Sequence, residues 1–305
     1  MSKLKTFPKP LAAKLSPVFG GDGRGGVVAV VRLHGIIAPA TGGFPRHVVS
    51  AEAIEEQLVR AFEWDRLKAV ALLINSPGGS PTQSELIASR VRQLASKHKV
   101  PVLAFCEDVA ASGGYWVACA ADEIFASATS VVGSVGVISA GFGFQDLLSK
   151  VGVERRVYTS GDEKARLDPF VPERADDVEW LAGLQGELHA MFRDWVMERR
   201  GERLAGTTGE QNLFNGDVWL GREAARMGLI DGVGSLRDVV ERKYPGADIE
   251  FVAPKKPFFA RLGMPFPDPF GFDAERGDVS AWCAAALNGA IDALEARVAW
   301  GRFGR

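Results

Sequence analysis

The sequence predicts an α/β fold built on a mainly parallel β-sheet. Apolar segments typical of buried strands alternate with segments of helical periodicity, which indicates βαβ units with right-handed crossovers. The segment 27–37 is almost continuously apolar, as expected of a strand covered on both faces. The chain has 305 residues, of which 47% are hydrophobic and 24% are charged. This composition is that of a globular protein long enough to bury a sizeable core.

The first elements follow from local patterns. After the strand at 27–37 comes a Gly/Pro-rich loop at 38–49 and then a helix at 51–63. The spacing predicts that this helix buries Ile54, Leu58, Ala61 and Phe62. The next pair is a strand at 70–74 and a helix at 82–97. The inward residues of this second helix are predicted to be Leu86, Ile87, Val91 and Leu94.

The later elements are less regular. A third strand at 100–106 leads to a helical run of small residues at 115–121, and a strand at 123–126 follows. The remaining segments are, in order, an apolar glycine-marked segment at 131–138, a short helix at 142–151, a short strand at 155–159, a polar turn at 160–166, a long helix at 172–200, a loop with a short helix at 215–231 and a last short helix at 235–243. The long helix carries one apolar stripe, formed by Leu181, Leu184, Leu188, Met191, Phe192 and Trp195.

Composition divides the chain into three regions. Residues 1–25 are predicted to be a flexible arm, 26–250 the main domain, and 251–305 a Pro-rich linker followed by an amphipathic C-terminal helix at 279–300. Two interpretations of that last helix stay open. It packs against the body or a neighbouring subunit, or it lies on a membrane surface.

Several function classes are excluded by composition. A net charge of −2 argues against nucleic-acid binding through bulk basicity. Three separated cysteines and four histidines without ligand spacing give no disulfide framework and no metal site. No signal peptide and no membrane-spanning segment is readable, so a cytoplasmic location is expected, with peripheral contact to the inner membrane through the C-terminal helix as the alternative.

The stretch around Ser112 is the first candidate for chemistry. Ser112 follows a predicted strand and precedes a helix, and its neighbours are Ala110, Ala111, Gly113 and Gly114. A serine hydroxyl in such surroundings is sterically open, and the amides at a helix start stabilise developing negative charge. This pattern suits a nucleophilic serine. An ordinary N-cap serine before a close-packed helix fits the same residues.

A nucleophilic serine requires a base. No histidine lies in a recognisable triad context and no G-x-S-x-G motif occurs. The other known base is a lysine kept neutral by desolvation or by a nearby positive charge. The candidate is Lys164, in a glycine-containing turn beside Arg166. Taken alone, Lys164 is more simply interpreted as a solvated surface lysine.

Five motifs in order give the chain a resemblance to a known family, the SppA-type signal peptide peptidases. These are Ser-Lys peptidases whose fold is similar to that of Clp protease and crotonase. The matching segments are Asn75–Ser80, Ala110–Trp116, Gly133–Val137, Ser160–Lys164 and Gly216–Asp231. The resemblance covers about residues 27–245.

The resemblance implies a role for each matching residue. Ser112 would be the nucleophile, Lys164 the general base, and Ser134 would orient the lysine amine. The amides of Gly79 and Gly113 would form the oxyanion hole, which agrees with the bare amides that glycines present at a strand end. A tight turn at Gly79 and an ordinary turn serine at Ser134 remain alternatives.

The resemblance also implies a function. We expect a serine endopeptidase that acts through an acyl-enzyme on peptides or unfolded segments with small or apolar residues before the cut. It would need no cofactor or metal, and it would form a homo-oligomeric ring or dome. Two alternatives stay open: a crotonase-like acyl-CoA enzyme and an inactive scaffold of peptidase descent. Family members commonly carry an N-terminal membrane anchor, which this sequence does not show.

Overall fold

The computed structural model of the chain describes residues 25–39, 48–161, 163–204, 213–253, 300–301 and 303. The described strands are β1 (Val27–His34), β2 (Ile36–Ile37), β3 (Val48–Val49), β4 (Leu67–Ser76), β5 (Val102–Ala111), β6 (Glu123–Ala126), β7 (Val131–Gly133), β8 (Val218–Leu220), β9 (Gly232–Val233) and β10 (Asp248–Phe251). The described helices are α1 (Ala51–Phe62), α2 (Pro81–His98), α3 (Gly113–Ala118), α4 (Gln145–Lys150), α5 (Ala175–Leu204), α6 (Gly221–Arg226) and α7 (Leu236–Lys243).

The main sheet is mixed but mostly parallel, which confirms the predicted fold class. Its strand order is β10-β1-β4-β5-β6-β9, and β7 pairs with the last residues of β5. The pair β7–β8 is antiparallel, whereas the other ladders of this sheet are parallel. The first and last strands are neighbours, with Val27 paired to Asp248. Strands of such a sheet deliver their loops to one edge, where ligands bind.

Two apolar layers cover the sheet. The larger cluster joins one face of the sheet to helices α1, α2 and α3, and the smaller cluster joins the other face to α7. The predicted face of α1 is confirmed, since Ile54, Leu58, Ala61 and Phe62 are all buried. The predicted face of α2 is correct at three of its four positions, but Leu86 is exposed.

Several element predictions were wrong in detail. The strand predicted at 27–37 is interrupted at Gly35, whose φ of 119° directs the chain out of β1 and into β2. No strand forms at 155–159. The strands β8, β9 and β10 were not predicted, because two to four residues carry little periodicity.

The long helix α5 is held to the domain by its C-terminal half. The indole of Trp195 donates to the carbonyl oxygen of Trp116 at 3.0 Å. The guanidinium of Arg199 donates to the carbonyl oxygens of Cys119 and Ala121 at 2.9 and 3.1 Å. These carbonyls lie at and just beyond the C-terminal end of α3, where a cation is favourable. The long helix therefore fixes the end of α3 that lies away from Ser112.

Arg200, the next residue, makes a buried ion pair. Its side chain is 1% exposed, and it donates to Oδ2 of Asp231 at 2.7 Å and to the carbonyl oxygen of Gly228 at 2.8 Å. The same carboxylate accepts from the amide of Ile124 in β6. One buried arginine thus ties α5 to the sheet and to the loop before β9.

The N-terminal half of α5 and the segment before it are exposed. The predicted apolar stripe is buried only at Phe192, whereas Leu184, Leu188 and Met191 are exposed. Upstream of the helix, large apolar side chains are also exposed: Ile138, Phe142, Leu147, Val151, Val153 and Tyr158. We call residues 138–174 the arm, a segment distinct from the flexible arm predicted at 1–25. Apolar exposure on this scale is typical of a surface that binds another protein chain.

Some predictions concern residues outside the described ranges. These are the flexible arm at 1–25, apart from Gly25, and nearly all of the linker and C-terminal helix at 251–305. The predicted contacts of that helix, with a subunit or a membrane, therefore stay predictions. Within the described ranges, none of the helices combines the length and apolarity needed to cross a membrane.

The buried ion pair gives a stability prediction. Replacing Arg200→Met should lower the free energy of unfolding by about 3 kcal/mol, because Asp231 and the carbonyl of Gly228 lose a buried partner. The matched control is Arg203→Met, since Arg203 also pairs with Asp231 but is 44% exposed, and it should cost less than about 1 kcal/mol. Urea unfolding measures both, and equal losses would contradict the assigned importance of burial.

Candidate active site

Ser112 lies at a sharp strand-to-helix turn. It follows the last residue of β5, precedes the first residue of α3, and has φ 51° and ψ −123°. A non-glycine residue rarely adopts such a backbone conformation, and when it does a functional site is a common reason. The side chain of Ser112 makes no capping hydrogen bond to α3. Ser112 thus occupies the N-cap position without capping the helix through its side chain, and the hydroxyl is left available at the end of β5.

The Gly78–Gly79 segment packs directly against this turn. A β-carbon added at Gly78 would lie 2.7 Å from the amide nitrogen of Gly113 and 2.8 Å from Cβ of Ser112. A β-carbon at Gly79 would collide with the carbonyl oxygen of Ile37. Both glycines also have positive φ, at 101° and 141°. Only glycine fits these positions without a shift of the neighbouring backbone.

Two amides beside Ser112 are unused within the described chain. The segment around Gly79 is fixed by bonds from the amide of Ile37 to Gly78 and from the amide of Ser80 to Ile37, at 2.8 and 2.7 Å. The amides of Gly79 and Gly113 themselves donate to no described residue. Free, rigid N–H groups on either side of a nucleophile are what an oxyanion hole requires.

Ser134 occupies the equivalent position on the neighbouring strand. Ala111 pairs with Gly133, so Ser112 and Ser134 each follow one member of the same pair. The amide of Ser112 donates to the carbonyl of Gly133 at 2.8 Å, and Ser134 also has positive φ, at 55°. Ser134 is buried, and its amide donates to the carbonyl of Asp217 at 2.6 Å. The structure therefore brings Ser134 close to Ser112, as the resemblance implies.

A cavity of about 260 Å³ opens beside Ser112. Its lining includes the backbone of the three glycines already described and, as apolar side chains, Ile36, Val137, Ile138, Trp116, Leu188, Phe192 and Phe303. The rings of Trp116 and Phe192 are in contact, with centroids 4.8 Å apart. The sequence analysis had not assigned a wall to this cavity. Part of the predicted stripe on α5 provides it.

The groups behind the turn are buried and unreactive. Burial raises the pKa of the Cys106 and Cys119 thiols to about 12, so both stay protonated and poorly nucleophilic near neutral pH. Burial also raises the pKa of Tyr115 well above its ordinary value, and its hydroxyl donates to the carbonyl of Leu229 at 2.7 Å. These three side chains are therefore poor candidates for a nucleophile, which leaves Ser112 as the candidate.

Lys164 lies elsewhere. It is exposed, it belongs to the arm, and it does not line the cavity beside Ser112. No histidine of the described residues lines that cavity either. His34 instead pairs with Glu107 at 2.5 Å. The described single chain thus holds Ser112, the two amides and Ser134 together, and the candidate lysine is not among the residues that line the cavity beside them.

Comparison with protein families gives one match. The model of peptidase family S49 matches residues 94–250, a range that contains Ser112, Ser134 and Lys164. Over 225 residues the chain is 31% identical to a candidate protease of Methanocaldococcus jannaschii, which covers 74% of this chain and 71% of that protein. It is 33% identical over 215 residues to the chloroplastic serine protease SPPA of Arabidopsis thaliana, covering 68% of this chain and 31% of that protein.

A higher identity is found with longer proteins. The chain is 46% identical over 282 residues to a Brucella abortus protein named Na(+)/H(+) antiporter NhaA, and the alignment covers 91% of this chain. It covers 37% of that protein. The chain thus spans about a third of the length of this relative.

The packing of Gly79 gives a prediction. Gly79→Ala should lower the rate at which a fluorophosphonate labels Ser112 by about 10²-fold, because the new β-carbon displaces one oxyanion donor. Gly201→Ala is the matched control, since a β-carbon there meets only the flexible end of Met197 at 3.6 Å, and it should label at the wild-type rate. Mass spectrometry locates the label, and undiminished labelling of Gly79→Ala would contradict a role for that amide.

Proposed function

Because this chain belongs to peptidase family S49, we propose that it is a serine endopeptidase with Ser112 as nucleophile and Lys164 as general base. One observation carries the proposal. The hydroxyl of Ser112 is not used to cap α3 and lies beside two amides that donate to no other described residue. The same arrangement would be without purpose in a serine that served only to start a helix.

The proposed reaction has two halves. The Ser112 Oγ attacks the substrate carbonyl carbon while the neutral amine of Lys164 takes the hydroxyl proton. The tetrahedral intermediate then collapses, the C–N bond breaks, and the lysine returns the proton to the leaving amine. Water, activated by the same lysine, next attacks the acyl-enzyme and releases the acid and the free serine.

The negative oxygen of each intermediate is assigned to the amides of Gly79 and Gly113. These donors are rigid before substrate arrives, because close backbone packing fixes both segments. Preorganised donors of this kind are worth about 3–4 kcal/mol each in related acyl-transfer reactions. Ser134 is assigned to hold the lysine amine. It is buried, and it follows Gly133, which pairs with the residue just before Ser112.

The base is proposed to come from a second copy of the chain. Lys164 is exposed on the arm and does not line the cavity beside Ser112. The arm also exposes several large apolar side chains that a neighbouring copy would bury. A closed ring in which each arm reaches the next subunit satisfies both observations, and it accords with the homo-oligomer that the family resemblance implies.

The proposed substrates are peptides or unfolded segments with a small or apolar residue before the cut. The cavity beside Ser112 is walled by aliphatic and aromatic side chains and is about 260 Å³ in volume. An apolar wall of this kind favours an uncharged side chain next to the scissile bond. Signal-peptide-like segments are rich in such residues and are our preferred class.

Of the two alternatives, the family match disfavours an acyl-CoA enzyme, because the matching family is one of peptidases. An inactive scaffold would still have to account for the uncapped hydroxyl and the open amides. Labelling by a fluorophosphonate separates the proposed peptidase from both alternatives, since only a reactive serine forms the phosphonyl ester.

The dyad gives a prediction that also tests the assembly. Ser112→Ala and Lys164→Ala should each abolish hydrolysis of a peptide ester, and the double variant should be scarcely worse than either, because the two groups act as a unit. When the two single variants are co-assembled, roughly one site in four should regain activity if nucleophile and base come from neighbouring copies of a ring.

Arg193→Ala changes an exposed residue of α5 and serves as the control for mixing and reassembly. Copies of this variant that are mixed and reassembled in the same way should stay active. Substantial turnover by Lys164→Ala alone would exclude that lysine as base. A co-assembled mixture that stays inactive while its mixed composition is verified by mass would exclude the supply of lysine from a second copy.

The nature of the base gives a pH prediction. A free lysine has a pKa of about 10.4 and accepts a proton only when neutral. We therefore expect kcat/KM to rise with pH across the alkaline range, with a midpoint that reports the pKa of the base in the assembled enzyme. The rise should survive single replacement of His34, His47, His98 and His189, whereas a histidine base would give a rise near pH 6.5.

A further inference from the structure

A buried carboxylate organises the arm. Among the described residues between Ile138 and Met191, Asp177 is the one that is buried, with 3% of its surface exposed. Aspartate is seldom buried unless it is paired. No apolar side chain in this described range is buried, although the rings of Phe142, Phe144 and Phe170 are in contact. The residue most shielded from solvent in this range is an aspartate.

Asp177 contacts Arg166 and Leu167, two and three residues after Lys164. It lies in the first turn of α5, where a carboxylate is favourable. Its Oδ2 accepts from the amide of Leu167 at 3.2 Å, and its Oδ1 lies 3.7 Å from Nε of Arg166 and 3.9 Å from Nη1 of Arg174. Leu167 has φ 54°, an uncommon conformation for a leucine. The hydrogen bond that the Leu167 amide donates to Asp177 holds the chain in that conformation, three residues after Lys164.

Arg166 also links Asp177 to Glu163, the residue before Lys164. Its guanidinium lies over the ring of Trp180, 4.9 Å from the centroid, and it pairs with the carboxylate of Glu163. That pair lowers the pKa of Glu163. Lys164 therefore lies between two anchored positions, one held through Arg166 and the other held by Asp177 directly.

We propose that Asp177 is the positioning residue of the proposed base, acting on Lys164 through Arg166 and the backbone of Leu167. The inference rests on the proposed function, because Asp177 acts only through Lys164, the proposed base, and does not itself contact substrate. In the assembled enzyme the arm must present one amine to Ser112 of another copy. A turn that lacks an apolar core needs a polar anchor to hold that amine in one place, because a misplacement of about 1 Å can cost about 10²-fold in rate.

The chain offers a matched control for this anchor. Asp176 is the preceding residue of the same helix turn and is exposed. Asp176→Asn and Asp177→Asn remove the same charge at adjacent positions, and the asparagine at 177 can still accept from Leu167. Asp177→Ala removes both the charge and the acceptor. The three variants separate the local charge, the ion pair to Arg166 and the hydrogen bond.

The experiment measures kcat and KM for a peptide ester with the full chain. We expect Asp177→Ala to lose about 10- to 100-fold in kcat with little change in KM, because the substrate cavity is untouched. Asp177→Asn should lie between Asp177→Ala and wild type, and Asp176→Asn should equal wild type. Light scattering and thermal unfolding must show that each variant keeps the wild-type mass and fold.

A double-mutant cycle with Lys164 excludes a merely structural role. On a nitrophenyl ester, whose good leaving group preserves residual turnover, Asp177→Ala should cause no further loss once Lys164 is alanine. An equal loss in both backgrounds, or a wild-type kcat for Asp177→Ala, would overturn the inference. If Lys164→Ala itself retains wild-type activity, it is the proposed function that fails, and the two failures are thereby distinguished.

Discussion

Three backbone segments approach one another around Ser112 with no room for a β-carbon between them. The glycines at 78 and 79 lie against β2 on one side and against the start of α3 on the other. This close approach fixes the two open amides relative to the serine, and it needs no side chain to do so. The chemistry proposed for this protein depends on that contact, because each group that would touch the reacting carbonyl belongs to one of these segments.

The helix α5 serves two different purposes along its length. Its C-terminal half binds the end of α3 through Trp195 and Arg199, pairs with Asp231 through Arg200, and provides part of the wall of the cavity. Its N-terminal half carries the arm and exposes apolar side chains. One rigid element thus joins the part of the molecule that completes the fold to the part that we propose meets another copy.

The sequence was sufficient for the fold class and for the strand-to-helix turn at Ser112, because long periodic segments and glycine motifs report local backbone constraints. It was insufficient for contacts that depend on distant segments. The exposure of Leu86 and of most of the α5 stripe could not be inferred, since periodicity marks an apolar face without saying what covers it. Asp177 was missed for the opposite reason, because a single acid near a helix start looks like an ordinary surface residue.

The pairing of β1 with β10 has a consequence for biosynthesis. The first and last strands of the sheet are adjacent, with Val27 beside Asp248, although more than two hundred residues separate them along the chain. While the polypeptide emerges from the ribosome, β1 can pair with β4 on one side, but its other edge stays open until the last strand has been made. Sheets closed by such distant pairings form slowly and leave an aggregation-prone edge exposed meanwhile. Completion of this sheet therefore has to wait until β10 has been made, and until then the free edge of β1 can pair wrongly with another chain.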